Sequence, residues 1–441
     1  MKKSGLDVYL LLPIKNFIEK QTSVGISLII STVLAIGIAN SPLSSYYHEF
    51  WKQEIYIGLN EFMIRKNLLH WINDGLMSMF FFLIGLELKK EIMHGELSSL
   101  RRAVLPIAAA IGGMLFPALI YFFFNSGTDS ISGWGIPMAT DIAFALGILY
   151  LLNDKVPVSL KIFLTAIAIA DDMGAVLVIA FFYTEQISLQ SLGIGLFFLL
   201  VLLGANYIGI RNNLFYAVMG IGGLWLAIML SGIHATIAAV LAAFAIPTSK
   251  RINTPVFLRK VKLLSYHIKT QLKKPSKKAR QSQEEITETI GKFSLLTQDA
   301  TPPLQRLENA LHPFVSFVVL PLFAFANAGV SFTAESFSYF LRPVSLGILL
   351  GLILGKFFGI VLFTRLMVAL KISRLPKKVH WKHIYGVGLL GAIGFTMSLF
   401  ITELAFDSET YLDQAKIGIF SASLLAGIIG FFYLKYAKLT S

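Results

Sequence analysis

The chain contains no cysteine, so disulfide frameworks, thiolate metal sites and thiol chemistry are excluded. Charge is scarce as well. Asp, Glu, Lys and Arg make up 14% of 441 residues, too few to cover the surface of a soluble protein of this length. Soluble enzymes, nucleic-acid modules and disordered tails drop out on that ground. Acid is the rarer sign, 25 Asp and Glu against 38 Lys and Arg. The surplus cations gather in a few short connections and one long one, a pattern that speaks of membrane orientation and not of a nucleic-acid partner. What is plentiful is apolar: 55% of residues are hydrophobic and the mean hydropathy is +0.70. The composition fits a membrane as the main solvent.

A hydrocarbon core about 30 Å thick takes roughly 20 helical residues. Twelve apolar stretches approach that length: 22–40, 71–93, 103–124, 135–152, 158–183, 190–209, 213–230, 232–247, 312–330, 344–368, 384–405 and 415–437. Only Ser231-Gly232 divides the seventh from the eighth, and fusing them would leave eleven. Short cytoplasmic loops retain Lys and Arg. Lys2, Lys3, Lys15 and Lys20, then Lys89, Lys90, Arg101 and Arg102, then Lys155, Arg211, segment 249–307, Lys371 to Lys382, Lys435 and Lys438 fall on one side. The opposite loops, such as 125–129 and 407–410, are polar or acidic. Both termini therefore belong in the cytoplasm, and an even count favours twelve. Trp71, Trp134 and Trp381 lie at span starts, where amphipathic rings prefer the headgroup region. Val8 to Pro13 is too short for a signal-peptide core and no small-residue cleavage site follows it, so the first span is expected to insert uncleaved.

The expected division is a cytoplasmic N-terminal segment 1–21, eight spans within 22–248, a basic cytoplasmic loop 249–307, and four spans with the C-terminus in 308–441. Between the first two spans, near 45–69, the runs around Gly58 fit an outer-face hairpin and a surface amphipathic helix equally well. Segment 249–307 carries thirteen Lys or Arg against four Asp or Glu, which suits a solvated loop drawn to anionic lipid heads; regulation is the other reading.

An ionisable side chain at mid-bilayer costs about 2.5–3.5 kcal/mol, so each one inside a span needs a reason. Asp141 lies in the fourth span, Asp171 and Asp172 in the fifth, Lys356 in the tenth. At about 1.5 Å per residue, the ten-odd residues from the start of the fifth span to Asp171 cover roughly half the bilayer. Lys356 is near the centre of its span and Asp141 about a turn from the centre of its own. Three carboxylates and one ammonium at one depth leave a negative pair uncompensated, to be filled by protons or a metal cation. Consecutive helical residues point about 100° apart, so one of Asp171 and Asp172 can meet Lys356 while the other faces a cavity. A pure packing ion pair would leave two aspartates unexplained. Oxygen ligands suit a hard cation such as Na⁺ or Li⁺. Gly174, Pro137 before Thr140, and Gly391, Gly394 and Thr396 in the eleventh span are where a helix could open and expose carbonyls. The fourth and eleventh spans are each the second member of a three-span set, 3–5 and 10–12, and seven positions of separation would invert one set against the other.

Several ordered motifs resemble the NhaA-type sodium/proton antiporter family: Ala139-Thr140-Asp141-Ile142-Ala143-Phe144, Leu160-Lys161-Ile162-Phe163-Leu164 leading to Asp171-Asp172, Leu320 to Gly329, Gly394-Phe395-Thr396-Met397-Ser398, Trp71-Ile72-Asn73-Asp74 and Gly85-Leu86-Glu87. The resemblance runs from about the first span to the last. It implies an all-α polytopic membrane protein of twelve transmembrane helices with an inverted repeat and two discontinuous crossing helices, an architecture known for this family and taken from it here. It implies that Asp171 and Asp172 are the essential carboxylates, Asp172 the preferred cation ligand, with Thr140 and Asp141 at the helix crossing and Lys356 paired with Asp171. Asp141 and Lys356 would offset the opposed half-helix dipoles.

Glu87, Glu91, Glu308 and His234 match positions tied to a cytoplasmic funnel and pH response. The glutamates could instead simply snorkel, and His234 could be a hydrogen-bonded packing residue. The implied activity is electrogenic, pH-regulated exchange of Na⁺ or Li⁺ for H⁺ by alternating access in a bacterial inner membrane, with no cofactor, as a homodimer joined through the hairpin. Segment 249–307 looks longer and more basic than the family's usual loop, and it bears on the pH range because it adjoins Glu308. Rival readings are a Na⁺-coupled symporter of an organic solute, which a solute would stimulate, and a non-transporting sensor, whose Asp variants would leave ion tolerance unchanged. An intramembrane aspartyl protease would need a Gly-x-Gly-Asp element, which the sequence lacks.

Overall fold

The computed structural model describes residues 21–59, 62–152, 155–184, 188–272, 279–332 and 336–437. The N-terminal segment with Lys2, Lys3, Lys15 and Lys20, and also Lys438, lie outside the described residues. Helix dominates because a backbone in hydrocarbon must satisfy its own hydrogen bonds. Among the described residues, nine helices are long and apolar enough to cross a membrane, and Trp381–Gly391 with Phe395–Ala405, bent by 42° at their break, would make a tenth crossing. The chain is a polytopic membrane protein. Asn213–Met229 and Ala235–Ala245 are shorter apolar helices on either side of a turn at Gly232, whose φ is +84°.

Local chemistry sets the ends. Ser188 and Asn212 accept backbone N–H bonds at the starts of Leu189–Ile208 and Asn213–Ala217, and Gly209 closes the former at φ +94°, a conformation that costs glycine nothing. Pro343 and Pro303 stand in the first turns of their helices, where no N–H is missed. The helix Pro303–Asn327 extends outward past the apolar stretch that begins at 312, because hydropathy marks the slab and not the polar turns that project from it.

Small residues let two helices touch backbone to backbone. A Cβ on Gly359 would lie 2.1 Å from the Gly112 carbonyl oxygen, and one on Gly355 would lie 2.7 Å from the Pro117 Cα, so the helix carrying Lys356 sits directly against Leu100–Asn125. Gly174 does not open its helix. Val158–Phe182 runs unbroken through it, and the missing side chain makes room for Met114.

Of the two readings of residues 45–69, the strands are found: Glu54–Leu59 pairs antiparallel with Phe62–Asn67, from Glu54 opposite Asn67 to Leu59 opposite Phe62. Arg65 and Tyr56 both donate to Glu54 and hold its carboxyl below the usual carboxylate range. The basic insertion contains two packed helices, Thr254–Leu272 and Ala279–Ala300. Phe257, Val261, Leu264 and Ile268 recur at helical spacing and are the half-buried face of the first. Arg251 N–H and Ile252 N–H donate to the Asp299 carbonyl and tie off its base.

Candidate functional site

Two interrupted segments meet in the interior. A 3₁₀ helix, Asp129–Met138, with Pro137 in its last turn, gives way after Met138 to extended backbone at Ala139 and Asp141, and an α-helix resumes at Ile142–Leu151. Trp381–Gly391 stops, Ala392 to Gly394 turn, and Phe395–Ala405 begins. Asp141 N–H donates to the Ile393 carbonyl at 2.7 Å, and Thr140 Oγ1 lies 2.9 Å from the Gly391 carbonyl oxygen. A Cβ on Gly394 would press on Ser398 Oγ and come within 3.2 Å of the Ala139 carbonyl, so only glycine permits this approach.

Each of the three aspartates is treated differently. Asp171 Oδ2 lies 2.5 Å from Lys356 Nζ and accepts from Thr140 Oγ1 at 2.8 Å. Lys356 also donates to Thr140 Oγ1 at 2.9 Å, so the single Thr140 proton is shared between Asp171 and Gly391. A π-helical turn, Gly351–Gly355, precedes Lys356, a local irregularity common at functional positions. Asp141 faces N-terminal helix ends: Oδ1 accepts from Phe144 N–H at 3.0 Å, while Oδ2 accepts from Thr396 N–H at 3.0 Å and Thr396 Oγ1 at 2.5 Å. One carboxylate thus caps helices on both sides of the crossing, where the helix dipoles favour negative charge. Asp172 is 1% exposed, and its Oδ1 has no hydrogen-bond partner; Asp171 Oδ1 is likewise unpartnered. Lys356 is fully buried. None of the four charges faces lipid or bulk water.

A cavity of about 310 Å³ leads toward this cluster, with Glu87, Lys90, Glu91, Glu308 and His312 on its walls and Asp141 and Thr396 among its lining. Ile169, one turn before Asp172, lines it too, but Asp171 and Asp172 do not. Glu308 Oε1 pairs with Lys90 at 2.7 Å and its Oε2 is buried without a partner. Glu91 Oε2 accepts from Glu96 N–H. The sequence-predicted glutamates are therefore brought together. His234 is not: it precedes Ala235–Ala245, its Nε2 lies 2.6 Å from the Tyr183 carbonyl, and it does not line the cavity.

Sequence reasoning missed Lys90 and His312 at the wall, since Lys90 reads only as a topogenic charge beside Lys89. Lys89 itself donates to the Phe244 and Ile246 carbonyls at 2.5 Å, capping the end of Ala235–Ala245. It missed, too, that Asn73 and Asn327 exchange hydrogen bonds, Asn327 Nδ2 to Asn73 Oδ1 at 3.0 Å and Asn73 Nδ2 to Asn327 Oδ1 at 3.4 Å, joining two of the quoted motifs.

Interrupted helices around buried, unequally compensated carboxylates, reached by a charged cavity, define the class of secondary transporters. The family described as Na⁺/H⁺ antiporter 1 matches residues 15–434, and the chain belongs to it. Among its relatives are the Na⁺/H⁺ antiporter NhaA of Oleidesulfovibrio alaskensis, 48% identical over 97% of this chain and 94% of that one. The Na⁺/H⁺ antiporter NhaA 2 of Syntrophotalea carbinolica is 46% identical over 97% of each chain, and NhaA of Shewanella frigidimarina 43% identical over 96% and 95%.

Proposed function

We propose that this protein is a sodium/proton antiporter of a bacterial inner membrane, exporting Na⁺ or Li⁺ in exchange for protons. One observation carries the reading: Lys356 compensates Asp171, two helix N-termini compensate Asp141, and Asp172 Oδ1 is left with no partner. A carboxylate buried in that way is stable only with a proton or a cation upon it. Two ligands that compete for one site, in a protein that changes its facing only when the charge is filled, give exchange by alternating access. The names of the relatives, all Na⁺/H⁺ antiporters and none an enzyme, support it.

In this reading Asp172 is the principal ligand of the cation and Asp171 its neighbour, while Thr140, Asp141 and Lys356 hold the crossing. Two protons discharged per cation would make the exchange electrogenic, with about 2.3 kcal/mol per charge per 100 mV available to drive Na⁺ out. Segments 129–151 and 381–405 are the two discontinuous helices of an inverted repeat. The nine long helices, the bent pair and the two shorter apolar helices fall on the twelve expected stretches, which supports twelve spans with both termini cytoplasmic. Residues 1–21 and the two helices of 249–307 then belong to the cytoplasmic face beside anionic lipid, and 22–248 and 308–441 hold eight and four spans. The hairpin faces outward as the contact of a homodimer. Glu87, Glu91 and Glu308 form a pH-responsive mouth, and His234 acts separately through Tyr183.

The test is reconstitution into vesicles with an imposed ΔpH. Na⁺ and Li⁺ are expected to dissipate it, faster when the membrane potential favours net charge movement. Full activity in Asp172→Asn would overturn the proposal.

A further inference from the structure

The cytoplasmic cavity of the ion site is not the largest in the molecule. A second one, about 630 Å³, opens where the helices Leu100–Asn125 and Val158–Phe182 begin and where the segment after Lys356–Ala369 turns back. Five cations line it from two parts of the chain: Arg101 and Arg102 from the first turn of one helix, and Lys371, Arg374 and Lys377 from the turn-back segment. Among the described residues the single acid on its walls is Glu96, which lies 4.0 Å from Arg102. The other four cations have no carboxylate partner among the described residues.

Helix physics makes this costlier still. Both helices point their N-terminal ends at the cavity, and neither carries Asp or Glu in its first turn. A positive helix end favours anions, yet Arg101 and Arg102 occupy one of these ends. Lys371 and Lys378 in the turn-back segment have φ of 59° and 63°, the two non-glycine positions among the described residues held in the left-handed region. Such strain persists only where surrounding structure enforces it. The positive-inside tendency accounts for cations at this face of the membrane. It does not account for their convergence on one cavity.

The rest of the lining is mainly apolar, with Leu105, Ile162, Phe163 and Ile372 beside the hydroxyls of Ser159 and Ser373. Phosphate-sized anions bind at helix N-termini and between basic side chains, and an apolar floor between two membrane helices suits the acyl chains that follow. From these features we infer that the cavity binds the phosphate group of an anionic phospholipid. Its position adds a consequence. The helix Val158–Phe182 presents Ile162, Phe163 and Ala166 to this cavity and Thr165 and Ile169 to the ion cavity, so the helix that carries Asp171 and Asp172 separates the two. A bound lipid therefore braces the cytoplasmic end of the helix that holds the site. The inference needs only a membrane protein with this face at a lipid surface, and stands or falls apart from the antiport assignment.

Thermal unfolding of the full chain in phosphatidylcholine nanodiscs tests it, with phosphatidylglycerol, extra phosphatidylcholine or inorganic phosphate added. Phosphatidylglycerol is expected to raise the Tm, and Arg101→Gln with Arg374→Gln to shift the lipid midpoint roughly thirtyfold, about 1 kcal/mol for each cation removed. Arg101→Lys with Arg374→Lys should keep the response, which separates lost charge from lost folding. Lys262→Gln with Lys269→Gln, an equal charge change on the helix Thr254–Leu272, should leave the midpoint in place. An equal shift from that control pair would mean diffuse attraction and overturn the site. So would an unshifted midpoint in the Arg101 and Arg374 pair, and so would inorganic phosphate alone reproducing the stabilisation, which would make the ligand a soluble anion.

Discussion

The carboxylate of Asp141 accepts the backbone N–H of Thr396 at 3.0 Å, although 255 residues separate the two in sequence. The same group caps its own helix at Phe144. Asp141→Asn keeps the shape but sets an NH₂ group against the N–H of either Phe144 or Thr396, donor against donor. Loss of a charge-assisted hydrogen bond costs about 1.5–3 kcal/mol, so the Tm in detergent should fall by several degrees and Na⁺-driven ΔpH dissipation by about tenfold or more. An Asp141→Asn protein with native Tm would remove Asp141 as the pin of the crossing.

Asp171 and Lys356 form a pair that neither can leave alone. Lys356→Met strands a buried carboxylate, at a cost of about 3–5 kcal/mol, whereas Asp171→Asn with Lys356→Met removes both charges and should unfold at a higher temperature than Lys356→Met. Calorimetry on the four members of the cycle measures the coupling. Additive effects of the two substitutions would show that the contact at 2.5 Å holds nothing together.

Asp172 predicts the opposite separation of stability and function. Its Oδ1 has no partner to lose, so Asp172→Asn should fold with native or raised Tm and yet show no Na⁺-dependent ΔpH dissipation. A large loss of Tm would mean that Asp172 supports the fold rather than the ion.

That an aspartate of the helix Val158–Phe182 would meet Lys356 was legible in the sequence, because rise per residue and slab thickness set both near the middle of their stretches, and the two side chains touch. Which aspartate meets Lys356 was not, since the 100° step says only that one of the two can; the family resemblance named Asp171. The breaks were readable at Pro137 and Gly391 to Gly394. Gly174 was misleading, for a glycine that admits Met114 looks the same in sequence as one that opens a helix. The hairpin stayed ambiguous because its alternation is short enough to fit either period. In the basic insertion, the spacing of Phe257, Val261, Leu264 and Ile268 marks a packed helix, but thirteen cations outweighed it. The pairing of Asn73 with Asn327 left no local signal, since each amide alone is an ordinary polar residue in a span.

Lys90 tempers the acidic mouth. It pairs with Glu308 while Glu87 and Glu91 line the same cavity, so Lys90→Gln should draw cations more strongly and lower the apparent KM for Na⁺ about two- to threefold at low ionic strength with kcat unchanged. Choline chloride near 1 M, where the Debye length is about 3 Å, should erase the difference. A KM shift that ignores salt would point to a change of shape in place of a change of field.

Asn73 and Asn327 bind two of the family motifs through a buried amide pair, and Asn327 spends its second N–H on the Phe323 carbonyl at 3.0 Å. Asn73→Leu leaves the Asn327 amide with an unsatisfied donor and acceptor inside the bundle, which should cost about 1–3 kcal/mol. Adding Asn327→Leu removes that orphan and should return part of the lost Tm, because replacing both partners by apolar groups of similar size is far cheaper than replacing one. If the double variant is instead less stable than the unsubstituted protein by the sum of the two single losses, the two amides contribute independently, and the reciprocal bond is not what joins the helix that begins at Leu68 to Pro303–Asn327.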